Sequence, residues 1–485
     1  MDRPRVLLTG ASGSMGHEAF LELRRRRDDY ATRLLLRPSK VNRKMFAPYA
    51  EESWLEIVWG DLTDPGDVDR AVEGVDFVLH AAAMISPAAD RNPSIAYAIN
   101  FGGTRNLVDS ILRQPDGAER IRLVSVGSVA QYGDRLPPVE MIRVGDPLVP
   151  SVHDYYALTK CAAERLIVES GIRHWASLRQ TFIVPPQLLG LLDPILFHQP
   201  LNQRIELITS RDAGYGLVQC LETSDEFWGR IYNMSGGPSC RVVYEEFLAD
   251  QFEVFGLGDY RKIFDPNWFA LKNFHCGYFA DSEDLNQHLG HFRDSLEDCY
   301  AMVEEGLAPW MKWGARLAPA RLVKALARRW AEPLQWIKQD NTPYIEAFFG
   351  SRAAWEAIPG WAGRESGAES APPAGAGEGR EGAAGIEERA TAASQPGAGD
   401  LADFAASRGG ALLSDTFAGV HEKHRWRCAL GHQFEATPRL LVHGGYWCDE
   451  CFPSAVEARG WDWERQAEVD PGLARIFVPK NLSPA

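Results

Sequence analysis

Long apolar runs are absent from this chain of 485 residues, and it has no stretch of about 18 apolar residues that could cross a membrane. The N-terminal residues also lack the apolar core of a secretory signal. Positive charge is in short supply, since 51 Lys and Arg stand against 66 Asp and Glu, for a formal net charge of −15. This balance argues against broad nucleic-acid binding by the whole chain, which would need clustered Lys and Arg. We expect a globular protein in the cytoplasm.

Cysteine is also scarce, with eight in the whole chain and no spacing that suggests a disulfide framework. Such usage favours a reducing compartment. Five of the eight are scattered and are interpreted as buried thiols: Cys161, Cys220, Cys240, Cys276 and Cys299. The other three lie close together near the C-terminus, which indicates a metal site.

The stretch RVLLTGASGSMG at residues 5–16 predicts a buried strand, a glycine turn and the start of a helix. Gly10, Gly13 and Gly16 have the spacing Gly-x-x-Gly-x-x-Gly. Without a Cβ in the way, the backbone can approach a pyrophosphate, whose charge the helix N-terminus favours. The position directly after a strand therefore predicts a dinucleotide site, and a tight turn without a ligand is the alternative.

The next predicted strand, TRLLLRPSK at 32–40, places Arg37 at its tip, with Lys40 and Arg43 close behind. An acidic residue at this tip binds a ribose 2′-hydroxyl, whereas a basic residue accommodates a 2′-phosphate. The sequence thus favours NADP and leaves NAD open, and three solvated charges are the alternative. Alternating strands and helices predict an α/β fold with a doubly wound parallel sheet.

Seven motifs follow one another along the chain. They are TGASGSMG (9–16), GDLTD (60–64), HAAA (80–83), NFGGTRNL (100–107), SVGSVAQYG (125–133), YALTK (156–160) and YNMSGGPS (232–239). The ordered set resembles the extended short-chain dehydrogenase/reductase family, of the NAD(P)-dependent epimerase/dehydratase type, over roughly residues 5–300. The resemblance implies an enzyme with a Rossmann fold and a small substrate lobe that begins near residue 180.

Site residues carry over from the family position by position. The resemblance makes Tyr156 the catalytic acid/base, Lys160 its partner and Ser128 the hydroxyl that orients the substrate. The implied cofactor-binding residues are Gly10, Gly13, Ser14, Met15, Gly16, Arg37, Asp61, Leu62, Ala81, Ala82, Asn100, Tyr156 and Lys160.

Proton transfer by Tyr156 has a physical basis in a predicted helix over residues 154–170. Positions 156 and 160 lie one turn apart on one face, and a nearby ammonium lowers the pKa of a phenol. Proton transfer near neutral pH then becomes feasible, and a surface Tyr–Lys pair is the alternative.

The substrate region is short and apolar at residues 187–207, and Pro185 stands where the family commonly has glycine. Arg204 and Arg211 are the only arginines between residues 180 and 228. These features favour an alcohol or carbonyl on a small, lipophilic substrate. A sugar-nucleotide epimerase or dehydratase with NAD, and a non-catalytic NADP-binding sensor that acts through the metal module, stay open.

Residues 310–338 combine aromatic, aliphatic and basic side chains at helical spacing. Such a helix is expected to pack its apolar stripe on the catalytic domain, and the alternative is a helix that lies on an anionic membrane surface. A homodimer is a further open possibility for the chain.

The C-terminal part divides by composition. Residues 1–350 are assigned to the catalytic domain, 351–405 to a mostly disordered linker rich in Gly, Ala, Pro and Glu, and 406–485 to a small module and tail.

The module resembles zinc ribbons, with Cys428 and His432 followed by the Cys-x-x-Cys pair Cys448 and Cys451. Three thiolates and an imidazole suit a structural zinc ion, with His421, His424 and His443 as alternative ligands. A nucleic-acid or protein partner of the module stays open.

Overall fold

A computed structural model describes residues 3–135, 141–186, 194–367, 397–455 and 461–481. Part of the apolar substrate segment and most of the proposed linker therefore lie outside the described residues. Among the residues that it describes, no helix is both long enough and apolar enough to cross a membrane.

A seven-stranded parallel sheet forms the centre of the molecule, in the order β11-β7-β5-β4-β1-β2-β3. Its strands are β1 Arg5–Thr9, β2 Ala31–Leu36, β3 Leu55–Trp59, β4 Phe77–His80, β5 Arg122–Ser128, β7 Trp175–Gln180 and β11 Arg230–Met234. Smaller sheets use β6 Met141–Ile142, β8 Ile183–Val184, β9 Arg204–Glu206, β10 Ile208–Thr209, β12 Arg241–Val243 and β13 Tyr278–Phe279. The strand order reverses between β1 and β4, and this confirms the predicted doubly wound, Rossmann-like sheet.

Helices cover both faces of the sheet. In the N-terminal half they are α1 Ser14–Arg25, α2 Lys40–Phe46, α3 Pro65–Val72, α4 Ala88–Arg91, α5 Pro93–Tyr97, α6 Gly103–Arg113, α7 Gly117–Arg120 and α8 Tyr155–Val168. Two buried clusters, one on each face, seal the sheet between these helices, as a parallel sheet requires.

The segments after β7 continue the Rossmann domain and then form the expected substrate lobe. Their helices are α9 Ser210–Gln219, α10 Tyr244–Phe255, α11 Ser282–Leu289, α12 Leu296–Glu305, α13 Pro309–Leu317, α14 Ala320–Ala327, α15 Glu332–Lys338, α16 Thr342–Phe349, α17 Arg352–Glu356 and α18 Trp361–Gly367. Helix α9 packs on α1 and β11 joins the central sheet, so both belong to the Rossmann domain. The lobe extends past the expected boundary at residue 350, because the Trp355 and Trp361 indoles donate to the carbonyls of Asn267 (2.8 Å) and Phe264 (2.9 Å). These tryptophans anchor residues that composition alone had assigned to the linker.

The C-terminal module contains helices α19 Ala398–Ser407, α20 Trp463–Ala467 and α21 Pro471–Asn481. It also has an antiparallel sheet of β14 Ala411–Leu412, β15 His424–Arg427 and β16 Gln433–Ala436. Its first helix begins inside the segment 351–405. The Arg408–Asp470 ion pair (2.8 Å) is buried within the module and holds its two ends together.

The module packs directly on the Rossmann domain behind α8. The Tyr446 hydroxyl lies 2.9 Å from Glu164 Oε1 and 3.0 Å from the carbonyl of Cys161, both on α8. Arg179 on β7 donates to the carbonyl of Gly444 (2.7 Å) and pairs with Glu164 (2.6 Å). The Glu164–Arg179 pair is almost fully buried, so its charges are compensated only when the sheet, α8 and the module are assembled.

Replacing Arg179 with Met should strongly destabilise the chain, because Glu164 would keep a buried charge without its partner. Loss of a partner from a buried pair costs roughly 3–5 kcal/mol. The exposed Arg173–Glu119 pair (3.0 Å) provides the matched control, and R173M should cost about 0–1 kcal/mol. Urea unfolding of both variants measures the difference, and equal effects would contradict the structural role of the buried pair.

Candidate active site and metal centre

The glycine turn between β1 and α1 has the close packing expected of a phosphate cradle. Gly10 has φ +79°, and a Cβ there would lie 2.6 Å from the backbone nitrogen of Ala82. A Cβ on Gly16 would lie 2.1 Å from the carbonyl oxygen of Gly10. Side chains are thus excluded at both positions, and the backbone at the N-terminus of α1 is left open to a pyrophosphate.

The cavity beside this turn, here the glycine-turn cavity, has a volume of about 480 Å³. The predicted cofactor residues that line it are Gly10, Gly13, Arg37, Asp61, Leu62, Ala81 and Ala82. Arg37 is exposed at the end of β2, and no carboxylate pairs with its side chain in the described part of the chain. Asp61 accepts hydrogen bonds from the backbone and hydroxyl of Thr63 at 2.9 and 2.7 Å, which fix its carboxylate at the cavity edge.

A second cavity, here the tyrosine cavity, adjoins the first and has a volume of about 550 Å³. The predicted residues that line it are Gly10, Gly13, Ser14, Met15, Gly16, Ala81, Ser128, Tyr156 and Lys160. Ser128 ends β5, and Tyr156 and Lys160 lie one turn apart on α8. The structure therefore brings all three predicted catalytic residues to the carboxyl edge of the sheet, where ligands bind in open α/β folds.

Tyr156 is half-buried on the wall of the tyrosine cavity, and its surroundings favour the neutral phenol. Burial raises its pKa to about 12, a hydrogen bond with Ser128 lowers it, and the carboxylates of Asp154 and Asp90 raise it further. This shift is opposite to the lowering expected from Lys160. The Lys160 ammonium instead donates to the carbonyl of Val126 at 2.6 Å, and burial lowers the Lys160 pKa to about 8.

Asn100 lies behind the cofactor cavities and lines neither of the two. It occupies a π-helical turn, Ala98–Gly102, that precedes α6. Its side-chain amide accepts from the Met84 N–H (2.7 Å) and donates to the Thr159 hydroxyl (2.8 Å) on α8. Asn100 thereby joins the loop after β4 to α8, and its expected contact with a cofactor stays a prediction.

Three titratable residues beside Tyr156 were missed by sequence reasoning. Asp154 caps α8 through the Ala157 N–H (2.8 Å), and its second oxygen accepts from His275 Nδ1 at 2.9 Å. Asp90 accepts from the Tyr156 backbone N–H at 3.1 Å, and burial and Asp154 raise its pKa to about 7. Only Asp154 had a sequence signal, as an acidic N-cap before the helix, whereas His275 is more than a hundred residues away in the chain.

His275 connects the tyrosine cavity to a third, more polar cavity of about 500 Å³, here the histidine cavity. Its walls include His153, His198 and His275. Glu332 pairs with His198 (2.9 Å) and with Arg91 (2.8 Å) on the same wall. Ser86 and Ile195 line both the histidine and tyrosine cavities, so the two spaces adjoin.

The predicted metal ligands come together in the C-terminal module. The ligand atoms of Cys428, His432, Cys448 and Cys451 all lie within 4.8 Å of one another, and the group could hold a metal ion. Cys428 Sγ is 3.8 Å from Cys451 Sγ, and His432 Nδ1 is 3.3 Å from Cys451 Sγ. A tight hairpin between β15 and β16, with Gly431 at φ +87°, turns Cys428 and His432 towards each other.

The alternative histidine ligands do not join this group. His424 is buried and lies 3.2 Å from the Gly419 carbonyl through Nε2, and His421 and His443 are likewise outside the cluster. Tyr446, which contacts α8, lies only two residues before the ligand Cys448. Two of the candidate metal ligands and the surface that packs on α8 are therefore parts of one short segment.

The sheet order and the glycine turn define a Rossmann-like domain, and the Ser128, Tyr156 and Lys160 side chains lie at the carboxyl edge of its sheet. The sequence model of the NAD dependent epimerase/dehydratase family matches residues 6–196. That match confirms the family resemblance for the part of the chain that forms most of the Rossmann domain.

Among curated proteins, residues of this chain are 31% identical over 179 positions to a 3 beta-hydroxysteroid dehydrogenase/Delta 5→4-isomerase of Mycobacterium tuberculosis. The aligned part covers 35% of this chain and 43% of that protein. A 3-beta-hydroxysteroid dehydrogenase of Mycolicibacterium neoaurum is 29% identical over 177 positions, which is 34% of this chain and again 43% of the relative. The chain thus spans less than half the length of these relatives.

Solved structures share the fold at low sequence identity. A dTDP-glucose 4,6-dehydratase from Bacillus anthracis in complex with NAD has a TM-score of 0.51 and 15% identity, with 62% of this chain and 96% of that chain covered. A dTDP-glucose 4,6-dehydratase from Streptomyces venezuelae has a TM-score of 0.50 and 22% identity over the same shares. These similarities establish the fold of the N-terminal part.

Replacing His432 with Asn should release a metal ion from the purified full-length chain, because the cluster would lose a ligand. We expect about one metal ion per wild-type chain by elemental analysis, and loss from H432N during dialysis against a mild chelator. H421N is the matched control and should keep its metal. Metal-free wild-type protein, or equal retention by both variants, would contradict the assignment.

Proposed function

We propose that the protein is an NADP-preferring oxidoreductase that interconverts an alcohol and a carbonyl on a lipophilic substrate, with Tyr156 as the acid/base. The observation that carries the proposal is the convergence of Ser128, Tyr156 and Lys160 on the wall of the tyrosine cavity, next to the glycine turn. This arrangement provides a hydroxyl pair for a carbonyl oxygen within reach of a cofactor site.

The walls of the tyrosine cavity favour a lipophilic substrate. Its apolar lining includes Phe182, Ile183, Ile195, Leu196, Phe247 and Leu248. Lys160 and His275 are the only basic side chains among its described lining residues, which is little charge for a sugar-nucleotide diphosphate. Arg211 is engaged with Asp294 (3.2 Å) and lies outside the cavity. The hydroxysteroid relatives make rigid secondary alcohols the first class to test.

Two glutamines place polar amide groups on the wall of the tyrosine cavity. Gln199 and Gln251 line it, are at least 97% buried, and have side-chain amide atoms without a hydrogen-bond partner in the described part of the chain. Buried amides of this kind are costly unless a ligand satisfies them. We therefore propose a substrate with a second oxygen remote from the reacting carbon.

Proton transfer would run through Ser128 and Tyr156. A bound nicotinamide would supply or accept the hydride at the reacting carbon. In the reductive direction Ser128 and Tyr156 hold the carbonyl oxygen, and Tyr156, neutral because of its raised pKa, gives its proton to that oxygen. In the oxidative direction the phenolate form of Tyr156 takes up the alcohol proton and becomes the neutral phenol, and the Lys160 ammonium would stabilise the phenolate before this transfer.

The second candidate is an epimerase or dehydratase that retains NAD. The observation that favours it is His275, which lies on the same cavity and is oriented by Asp154 at 2.9 Å. Such a pair can remove or return a second proton, as reactions beyond simple carbonyl reduction require. A third candidate, a non-catalytic NADP-binding sensor, is supported by the contact between the metal module and α8.

The metal is proposed to be zinc with a structural role. Tetrahedral zinc with thiolate bonds of about 2.3 Å separates two sulfurs by about 3.8 Å, the distance between Cys428 and Cys451 Sγ atoms. Four protein ligands leave no open coordination position, so the ion would stabilise the module and not take part in the reaction.

Replacing Tyr156 with Phe should lower turnover by roughly 10²–10⁴-fold and leave cofactor affinity within about twofold, because only the transferable proton is lost. Y155F is the matched control: Tyr155 is the preceding residue on α8 and makes an edge contact with Trp461. Turnover is measured with rigid lipophilic alcohols and their ketones, after any nucleotide released by denaturation has been identified by mass. Stoichiometric NAD would favour the epimerase or dehydratase, and unchanged turnover in Y156F would contradict an acid/base role.

Replacing Arg37 with Ser should weaken NADPH binding by roughly tenfold or more, because charge-assisted hydrogen bonds contribute about 1.5–3 kcal/mol. Affinity for NADH should stay unchanged. R113S is the control, since the exposed Arg113 pairs with Asp69 at 2.5 Å and does not line the glycine-turn cavity. Titration by cofactor fluorescence measures both affinities, and equal losses for the two cofactors would overturn the NADP preference.

A further inference from the structure

Helices α13 and α14 carry an apolar surface that nothing in the described part of the chain covers. Six large apolar side chains on it are exposed: Trp310 (75%), Trp313 (68%), Leu317 (64%), Leu322 (57%), Leu326 (46%) and Trp330 (44%). Helix α13 has no buried residue, and α14 buries only Ala327. The expectation that this segment packs its apolar stripe on the catalytic domain therefore fails for these side chains, which together form the α13–α14 face.

Helical spacing gathers these side chains on continuous faces. Trp310, Trp313 and Leu317 follow the i, i+3, i+7 pattern of one face of α13, and Leu322 and Leu326 are one turn apart on α14. A contiguous apolar surface of this kind is unusual for a chain that meets only water.

Basic side chains surround the α13–α14 face. Arg316, Arg321, Arg328 and Arg329 are exposed, and none forms an ion pair within the ranges that the structure describes. Lys312 and Lys324 are neutralised by Glu304 and Asp265. A local excess of positive charge thus stands on a chain whose formal net charge is −15.

We propose that the α13–α14 face docks the protein on an anionic phospholipid bilayer. Indole rings favour the boundary between headgroups and acyl chains, leucines bury their apolar surface there, and arginines are attracted to anionic lipid. A second copy of the chain fits less well, because a twofold contact of this face with itself would bring the same arginines together.

The position of the face suits a lipophilic substrate. Arg329, beside Trp330, lines the histidine cavity, and Ile195 lines both that cavity and the tyrosine cavity. The basic edge of the face therefore reaches the histidine cavity, which adjoins the tyrosine cavity. This relation to the substrate rests on the proposed function, whereas lipid binding itself does not depend on any reaction.

Vesicle flotation of the full-length protein, without cofactor or substrate, tests the proposal. The vesicles are pure phosphatidylcholine or phosphatidylcholine with phosphatidylglycerol, at low and at high salt. We expect binding to the anionic vesicles that weakens with salt, and little binding to the neutral ones.

Two double variants test whether the α13–α14 face is responsible for the vesicle binding. W313S/L317S should reduce binding by about tenfold or more through lost apolar burial, and R321Q/R328Q by roughly fivefold for each neutralised charge. L112S alters an exposed leucine on α6 and should bind as the wild type does.

Three outcomes would overturn the proposal. They are no binding to anionic vesicles at low salt, equal binding by W313S/L317S and L112S, and wild-type protein that self-associates in light scattering where W313S/L317S is monomeric. The last result would assign the face to contact between copies. Turnover of a water-soluble substrate by W313S/L317S should match the wild type, so a failure of the proposed reaction is distinguishable from a failure of lipid docking.

Discussion

The central sheet, α8 and the C-terminal module all contact the buried carboxylate of Glu164. It lies on α8, one turn after Lys160, and it pairs with Arg179 of β7 at 2.6 Å. Ser177 on the same strand also donates to it (2.6 Å), and Tyr446 brings the C-terminal module within 2.9 Å. A charge so far from water is tolerated only when each of these partners is in place, and the catalytic helix is thereby fixed between the sheet and the module.

The same carboxylate also affects the pKa of Lys160, which lies one turn earlier on α8. Burial lowers the Lys160 pKa to about 8, and Glu164 opposes that shift, so the ammonium persists at neutral pH. Tyr156, two turns before Glu164, is held neutral by burial and by Asp154 and Asp90. Tyr446 of the C-terminal module therefore contacts the same helix that carries Tyr156 and Lys160, the residues proposed to act in proton transfer.

This arrangement gives the C-terminal module a role in the architecture of the active site. A long segment of Gly, Ala, Pro and Glu suggests a tether, but the described parts on both sides of it are packed. Trp361 bonds to the substrate lobe, and Trp463 donates to the Pro150 carbonyl (2.9 Å) just before α8. The module therefore contacts both α8 and the segment just before it, and a metal ion in the module would stabilise these contacts indirectly.

The sequence by itself determined the Rossmann domain, its glycine turn and the Ser128–Tyr156–Lys160 cluster, because these depend on local spacing and on motifs in a fixed order. It also predicted which four residues form the Cys and His group that could hold a metal ion, since Cys and His pairs in short turns can be recognised locally. Tertiary structure alone decided the rest. His275 joins Asp154 across more than a hundred residues, Asn100 contacts α8, and the pKa of Tyr156 follows its burial and not the nearby lysine. Burial and long-range contacts are properties of the assembled chain, so residue spacing could not reveal that Tyr446 reaches Glu164 or that Trp310 and Trp313 stay exposed.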